Sequence, residues 1–263
     1  MQSLHHVTSR GENKKTGVLI FMGLLIASLL SCAPGMATDD KAKDYEILLI
    51  GNSHSSKNDL PGLLATLIEA GLPSITVNVR VAPSWGFLDD HLKDKKTRRL
   101  LEAKSWTHIV LQGQKYSSSG RYFYPTDAAE EWIRRAKMQG AIPIMFPEWP
   151  RRGNAEEGQR IHELHLQIVS RESACIAPVG LAWELALRQH PSLELHVRDG
   201  NHSNATGALL TAYVLYEVIT HKPATELPDL LNVKVTPEKQ LILRRGLEWL
   251  TDWRSCPHYR FSS

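Results

Sequence analysis

The sequence predicts an α/β fold in which helices cover both faces of a central parallel five-stranded sheet, and three observations lead to this prediction. First, five short apolar runs alternate along the chain with stretches in which apolar residues recur at helical spacing. Second, the first run is apolar throughout, as expected of a strand that is buried on both faces. Third, 42% of the 263 residues are hydrophobic and 22% are charged. This composition excludes disordered, collagen-like and small disulfide-rich proteins, and one domain suffices for the length.

The elements follow each other in a regular order. The first strand contains the run ILLI, and the helix after it has an apolar stripe at i, i+3, i+4, i+7 and i+8 from Leu60 to Ile68. Apolar residues alternate in the second strand, which predicts a half-buried strand near an edge of the sheet. Thr236 and Pro237 form a favourable start for the last helix. The predicted elements are strand 46–50, helix 60–68, strand 75–81, helix 95–103, strand 108–111, helix 127–139, strand 141–146, helix 156–170, strand 174–177, and helices 204–220 and 237–253.

The first 31 residues resemble a bacterial lipoprotein signal peptide. A polar, net positive segment, 1–17, precedes 13 uncharged residues, 18–30. That stretch is too short for a membrane span, which needs about 20 apolar residues. It ends in LLSC, so Cys32 stands where a lipobox cysteine receives its lipid; the alternative is an ordinary secretory signal in which Cys32 is incidental. By this resemblance, Ala33 favours the outer membrane over the inner one. Residues 32–43 are expected to form a tether, and the folded domain to span 44–263.

The charge of the chain excludes one class of partner. The formal net charge is +3, but the leader holds three of the 31 basic residues and one of the 28 acidic residues. The mature chain therefore has a net charge near +1, which gives no electrostatic basis for nucleic-acid binding. We expect the membrane to be contacted only through the lipid anchor.

Residues suited to acyl transfer follow several of the predicted strands. Ligands bind beyond the carboxyl ends of the strands in an open α/β sheet. Ser53 follows the first strand, Gly86 the second and Gln114 the third, while Asp199 and His202 precede a C-terminal helix. A serine hydroxyl needs a base such as histidine, and a carboxylate holds that histidine in one tautomer. Gly86 permits close backbone approach, and Gln114 offers an amide donor for a developing oxyanion.

The segments ILLIGNSHS, the isolated Gly86, LQGQ and DGNH, in this order, resemble the sequence blocks of the SGNH/GDSL hydrolase family. The likeness spans residues 45 to about 221 and is greatest to the branch that begins GNS and continues NDLPGLL. It implies a three-layer α/β/α sandwich with a catalytic triad of Ser53, Asp199 and His202. It also implies that the backbone N–H groups of Ser53 and Gly86 form the oxyanion hole. Gln114 stands where the family usually has Asn, and we expect its amide to be the third oxyanion donor.

Plainer interpretations of the same residues stay open. The segment DGN is also typical of a turn, and Ser53 is also compatible with a polar residue before a helix cap. The spacing of His196, Asp199 and His202 suggests a metal site, but a loop offers no fixed face for such ligands. We therefore expect no metal and no cofactor. His54 is expected to face solvent or to support the site from behind.

These observations favour a serine esterase of the cell envelope that deacylates a carbohydrate or another small ester. Trp85, Trp149 and Arg151 are expected to bind substrate, because flat aromatic faces suit sugar rings and arginine binds carboxylate or phosphate. The alternative is that the aromatic residues pack beneath long loops. A glycan-binding protein without activity and an acyltransferase with the same triad are the competing functions. The aromatic residues in the loops after strands two to four are Trp85, Tyr116, Tyr122, Phe123, Tyr124 and Trp149.

Two cysteines remain once Cys32 is assigned to the lipid. Export would place Cys175 and Cys256 in an oxidising compartment, where they have one possible pairing. A disulfide between them would tie the C-terminus to the fifth strand. The alternative is a buried free Cys175 and an exposed Cys256.

Overall fold

The computed structural model describes residues 44–154, 156–250 and Cys256, and it contains a parallel sheet between two layers of helices. The order across the sheet is β2-β1-β3-β4-β5, and every neighbouring pair is parallel. The predicted fold class is therefore confirmed, and so is the edge position of the second strand. The strands are β1 Tyr45–Ile50, β2 Val77–Val81, β3 His108–Gln112, β4 Ile142–Phe146 and β5 Cys175–Ile176.

Eight α-helices are present in the described part of the chain, two more than the sequence predicted. The additional helices are α2, which has only six residues, and α6. The last helix ends at Gly246, earlier than predicted, and a 3-10 turn follows it at Leu247–Trp249. The helices are α1 Leu60–Gly71, α2 Leu88–Lys93, α3 Lys95–Glu102, α4 Asp127–Met138, α5 Glu157–Arg171, α6 Val179–Gln189, α7 Ala205–Thr220 and α8 Pro237–Gly246.

The two faces of the sheet pack into two hydrophobic cores. Alternate residues of β1 point to opposite faces, so Ile47 and Leu49 lie in one core and Leu48 and Ile50 in the other. The first core is closed by α1, α6, α7 and α8, and the second by α2 to α5. Helix α7 contacts α1, α6 and α8, which explains why it is apolar on nearly every side. The start of α7 is therefore firmly held.

Both ends of the chain bear on the sequence predictions. The predicted signal peptide, Cys32 and the tether lie outside the described residues and stay predictions. No helix in the described ranges is long and apolar enough to cross a membrane. At the other end, a disulfide joins Cys175 in β5 and Cys256, whose Cα atoms are 4.4 Å apart and whose sequence separation is 81. The structure thus has the bridge and not the pair of free thiols.

Candidate active site

The site forms where the chain leaves β1. Strand β1 pairs with β2 on one side and with β3 on the other, so the connections that follow β1 and β3 leave in opposite directions. A crevice opens at such a point of a parallel sheet. The chain enters this crevice as a 3-10 turn, Ser53–Ser55, and Asn52 caps the turn by accepting a hydrogen bond from His54 N at 3.0 Å. Ser53 is therefore held at the carboxyl end of the sheet.

Ser53, His202 and Asp199 form a continuous chain of hydrogen bonds. The distance between Ser53 Oγ and His202 Nε2 is 2.8 Å, and His202 Nδ1 is 2.7 Å from Asp199 Oδ2. Asp199 Oδ1 accepts the backbone N–H groups of Asn201 and His202 at 2.8 and 2.9 Å. These two backbone bonds, together with the bond from the imidazole, hold the pKa of Asp199 well below its ordinary value. A permanently ionised Asp199 keeps the proton on Nδ1 and leaves Nε2 free to accept the hydroxyl proton of Ser53.

The loop that carries Asp199 and His202 is fastened to the loop after β4. Trp149 Nε1 donates to Asn201 O at 2.8 Å. Arg152 N donates to Gly200 O at 2.8 Å, and the guanidinium of Arg152 donates to His196 O at 3.1 Å. Gly200 has φ +69, a conformation that favours glycine. The turn of this loop is thus fixed by its own glycine and by contacts from the neighbouring loop.

Glu148 is a central residue of the site that the sequence analysis missed. Its Oε2 accepts hydrogen bonds from His54 Nδ1 at 3.0 Å and from Gln112 Nε2 at 2.6 Å. Gln112 Oε1 in turn accepts Asn52 N at 2.8 Å. Burial alone would raise the pKa of Glu148, but the bonds from His54 and Gln112 outweigh it and hold this pKa below its ordinary value. Its position directly after the fourth strand was the one available sequence signal.

His54 is buried and supports the site. Its side chain is 7% exposed, and its ring packs on Trp149 with centroids 4.7 Å apart. Of the two expectations for this residue, solvent exposure is wrong and the supporting position agrees with the structure.

A cavity of about 500 Å³ opens beside Ser53. Its wall combines polar groups with three aromatic side chains, so it suits a ligand with both flat and polar surfaces. The lining residues are Asn52, Ser53, His54, Gly86, Phe87, Lys115, Tyr116, Tyr124, Glu148, Arg151 and Asn201.

The predicted oxyanion donors are only partly brought together. Ser53 begins a 3-10 turn, and the first N–H groups of a helical turn have no acceptor within it. Gly86 lies in the cavity wall, where an added Cβ would be 3.0 Å from Asp90 Cβ. Gln114 does not line the cavity: it is buried, and its amide nitrogen donates to Lys115 O at 2.8 Å and Pro125 O at 3.1 Å. This corrects the expectation for Gln114, because its amide hydrogens are used to hold the loop.

The predicted substrate-binding residues differ in their placement. Trp149 is only 2% exposed and stacks on Trp183 with ring centroids 4.5 Å apart. The expectation that it contacts substrate is therefore corrected to a structural role beneath the site. Trp85 is 73% exposed and lies outside the cavity wall, next to Gly86 in sequence. Arg151 does line the cavity, and its guanidinium forms an ion pair with the carboxylate of Glu157 at 3.2 Å.

No group of three His, Cys, Asp or Glu residues within the described ranges is arranged to hold a metal ion. His196, the third residue of the spacing noted above, is buried, and its Nε2 is 2.8 Å from Pro150 O.

The comparison with solved structures points to one family. A protein from Slackia heliotrinireducens, assigned as a candidate SGNH hydrolase, is 27% identical to this chain with a TM-score of 0.53; the match covers 66% of this chain and 98% of that one. A DUF4886 family protein from Bacteroides uniformis has a TM-score of 0.63 at 17% identity, with 82% and 98% of the two chains covered. The second likeness concerns the fold alone. No protein-family model and no curated protein matches the sequence. The motif order, the parallel sheet and the likeness to the Slackia protein together support an SGNH/GDSL-like family for this chain.

Proposed function

We propose that this protein is a serine esterase that hydrolyses acyl esters through an acyl-enzyme intermediate on Ser53. The observation that carries the proposal is the unbroken chain from Ser53 Oγ to His202 Nε2 at 2.8 Å and from His202 Nδ1 to Asp199 at 2.7 Å. Nucleophile, base and orienting carboxylate are the three parts that acyl transfer requires. The family likeness supports a hydrolase on the same fold.

The geometry supports a two-step reaction. In the first step His202 Nε2 takes the hydroxyl proton while Ser53 Oγ attacks the carbonyl carbon, and Asp199 stabilises the imidazolium. The negative oxygen of the tetrahedral intermediate accepts hydrogen bonds from the N–H groups of Ser53 and Gly86. His202 then gives its proton to the departing alcohol, which leaves an ester on Ser53. In the second step water attacks this ester with His202 as base, and Ser53 Oγ leaves and recovers its proton.

The substrate that we propose is an acylated carbohydrate in the bacterial cell envelope. The three aromatic rings in the cavity wall, Phe87, Tyr116 and Tyr124, supply flat apolar faces next to polar groups. Such surfaces suit sugar rings, which are apolar on their faces and polar at their edges. The envelope location rests on the sequence of the leader.

Ester hydrolysis by variants of two neighbouring serines tests the proposal. Purified protein is assayed with p-nitrophenyl esters of increasing acyl length and with acetylated sugars. Ser53→Ala and His202→Ala should each lower turnover by at least about a thousandfold, and the double variant should be hardly worse, since the residues act as a unit. The matched control is Ser56→Ala, which removes a hydroxyl just after the same turn and should leave turnover unchanged.

The outcome separates the competing functions. Ester cleavage that persists in Ser53→Ala would contradict the assignment of Ser53 as the nucleophile and the mechanism built on it. A folded wild-type protein that binds acetylated sugars without cleaving them would instead favour a glycan-binding protein.

A further inference from the structure

A second histidine–carboxylate pair, His54 with Glu148, lies beside the pair of His202 and Asp199. His54 Nδ1 and Glu148 Oε2 are 3.0 Å apart, and the two side chains are 7% and 12% exposed. The rings of His54 and His202 meet edge to face, with centroids 5.3 Å apart. Because Ser53 has one hydroxyl proton to transfer, the two histidine–carboxylate pairs are expected to have different roles.

Only His202 is placed to act as the base. Ser53 Oγ is hydrogen bonded to His202 Nε2, whereas His54 Nε2 is buried and has no hydrogen-bond partner in the described part of the chain. A buried ring nitrogen that is not hydrogen bonded to Ser53 is not placed to take its proton. The other nitrogen of His54 is bonded to Glu148. The side-chain hydrogen bond of His54 therefore runs to Glu148 and not to Ser53.

One oxygen of Glu148 holds both chain neighbours of the nucleophile. Oε2 accepts His54 Nδ1 directly, on the residue after Ser53. The same Oε2 accepts Gln112 Nε2 at 2.6 Å, and Gln112 Oε1 accepts Asn52 N at 2.8 Å, on the residue before Ser53. The residues on both sides of the serine are thus tied to a single carboxylate, Asn52 through its backbone N–H and Gln112, and His54 through its side chain.

The close approach of Gln112 depends on Gly51. An added Cβ at Gly51 would lie 2.4 Å from Gln112 Oε1 and 2.9 Å from Gln112 Cβ. Only glycine leaves room for the Gln112 side chain to lie against the end of β1. The connection from Glu148 to the serine turn therefore requires glycine at position 51, directly after β1.

The carboxylate of Glu148 is well suited to such a role. Hydrogen bonds to an ionised acceptor are roughly twice as strong as those between neutral groups. Burial, together with the nearby carboxylates of Glu148 and Glu157, raises the pKa of Tyr116, so its hydroxyl stays protonated on the same wall of the cavity. An ionised carboxylate can only accept, so the hydrogen bonds from His54 and Gln112 both run towards Glu148.

We propose that Glu148 is a positioning residue that fixes the Ser53 turn through His54 and through Gln112, a role that rests on the esterase function proposed above. By holding residues 52–54, Glu148 fixes the position of Ser53 Oγ next to His202. It also fixes the direction in which the Ser53 N–H points towards the oxyanion. Misplacement of a reacting group by about 1 Å can cost about a hundredfold in rate.

Kinetics of Glu148→Ala and Glu148→Gln test this role. The alanine variant should lower kcat by about 10- to 100-fold and change KM by less than about threefold. The reason is that the variant disturbs the geometry of the transition state but leaves substrate binding intact. The glutamine variant keeps an oxygen that can accept from both His54 and Gln112, so it should stay within about fivefold of the wild-type kcat. If Glu148→Ala does not fold, Gln112→Met breaks the Asn52 connection alone and should still lower kcat severalfold.

Glu217→Ala is the matched control. Glu217 is a buried carboxylate that accepts a hydrogen bond from Ala224 N at 2.6 Å. It lies about 18 Å along α7 from the helix end that follows His202. This variant should lose stability and keep the kcat of the wild type.

Several results would overturn the positioning role. One is a kcat of Glu148→Ala, or of Gln112→Met, within twofold of the wild type. Equal losses of kcat in the alanine and glutamine variants would indicate that the charge of Glu148, and not its hydrogen bonds, matters. A raised KM at unchanged kcat would indicate that Glu148 contacts the substrate.

A second readout does not depend on activity. The amide hydrogen of Asn52 should exchange faster in Glu148→Ala than in Glu148→Gln or the wild type, and unchanged exchange would contradict the proposal. If the wild-type protein shows no Ser53-dependent ester cleavage, the esterase proposal fails, while the exchange data still decide whether Glu148 holds the turn.

Discussion

Replacing Asp199 with asparagine tests how the loop sets the protonation of His202. Asp199 Oδ1 accepts two backbone N–H groups, from Asn201 and His202, and its Oδ2 faces His202 Nδ1. In Asp199→Asn the amide oxygen must stay on the two backbone donors, because an NH₂ group cannot accept them. The NH₂ group therefore faces His202 Nδ1, which has to act as acceptor. The ring proton moves to Nε2, the nitrogen that faces Ser53, and the base is lost.

The expected loss follows from this wrong tautomer. In a serine triad it lowers kcat by about 10⁴-fold while the geometry stays intact. Because the pKa of Asp199 lies well below its ordinary value, this carboxylate stays ionised at neutral pH. The asparagine variant should therefore lower the plateau of kcat at every pH. Steady-state hydrolysis of p-nitrophenyl acetate over a pH series, with circular dichroism as the check on folding, measures this plateau. A plateau within tenfold of the wild type would refute the tautomer argument.

Three further changes have defined outcomes. Gln114→Leu should leave kcat within about threefold and lower the free energy of unfolding by about 0.5–1.5 kcal/mol for each hydrogen bond lost to Lys115 O and Pro125 O. A hundredfold loss of kcat would instead place Gln114 in the oxyanion hole. Cys256→Ser should lower the free energy of unfolding by up to about 4.5 kcal/mol for an 81-residue loop, measured in urea. Two titratable thiols in the unfolded, unreduced wild-type protein would exclude the bridge to Cys175. Cys32→Ala should abolish incorporation of labelled fatty acid, and undiminished labelling would exclude lipidation at Cys32.

The meeting of Ser53 with Asp199 and His202 was implied by the resemblance to the SGNH/GDSL family, and a general property of parallel sheets accounts for the position of Ser53. The loops that follow the strands gather at one edge of the sheet, so residues far apart in sequence meet there. The hydrogen bond between Ser53 and His202 spans 149 residues, yet the order of the motifs was sufficient to predict it. The strands were predicted for a related reason, because buried parallel strands are short and apolar throughout.

The direction of a polar side chain within a loop was not predictable. Gln114 has the donor that the oxyanion hole needs, but two backbone carbonyls of its own loop bind that donor first. Glu148 shows the converse case, since its partner His54 is 94 residues away and nothing in either local sequence indicates the pairing. Helix α2 is too short to show a helical period, whereas α6 does carry an apolar stripe, at Val179, Ala182, Trp183 and Ala186, that the sequence analysis overlooked.

The loop after β4 has a consequence for how the protein is made. Glu148 holds the turn of Ser53, and Trp149 and Arg152 hold the loop of His202, so one short segment joins the two halves of the site. Ser53 emerges from the ribosome 95 residues before Glu148 and 149 residues before His202. Until β4 has docked against β3, the serine is an ordinary hydroxyl on an unfinished sheet. Under the proposed mechanism, a growing or unfolded chain therefore carries Ser53 as an unactivated hydroxyl, and the nucleophile forms only when β4 and the His202 loop are in place.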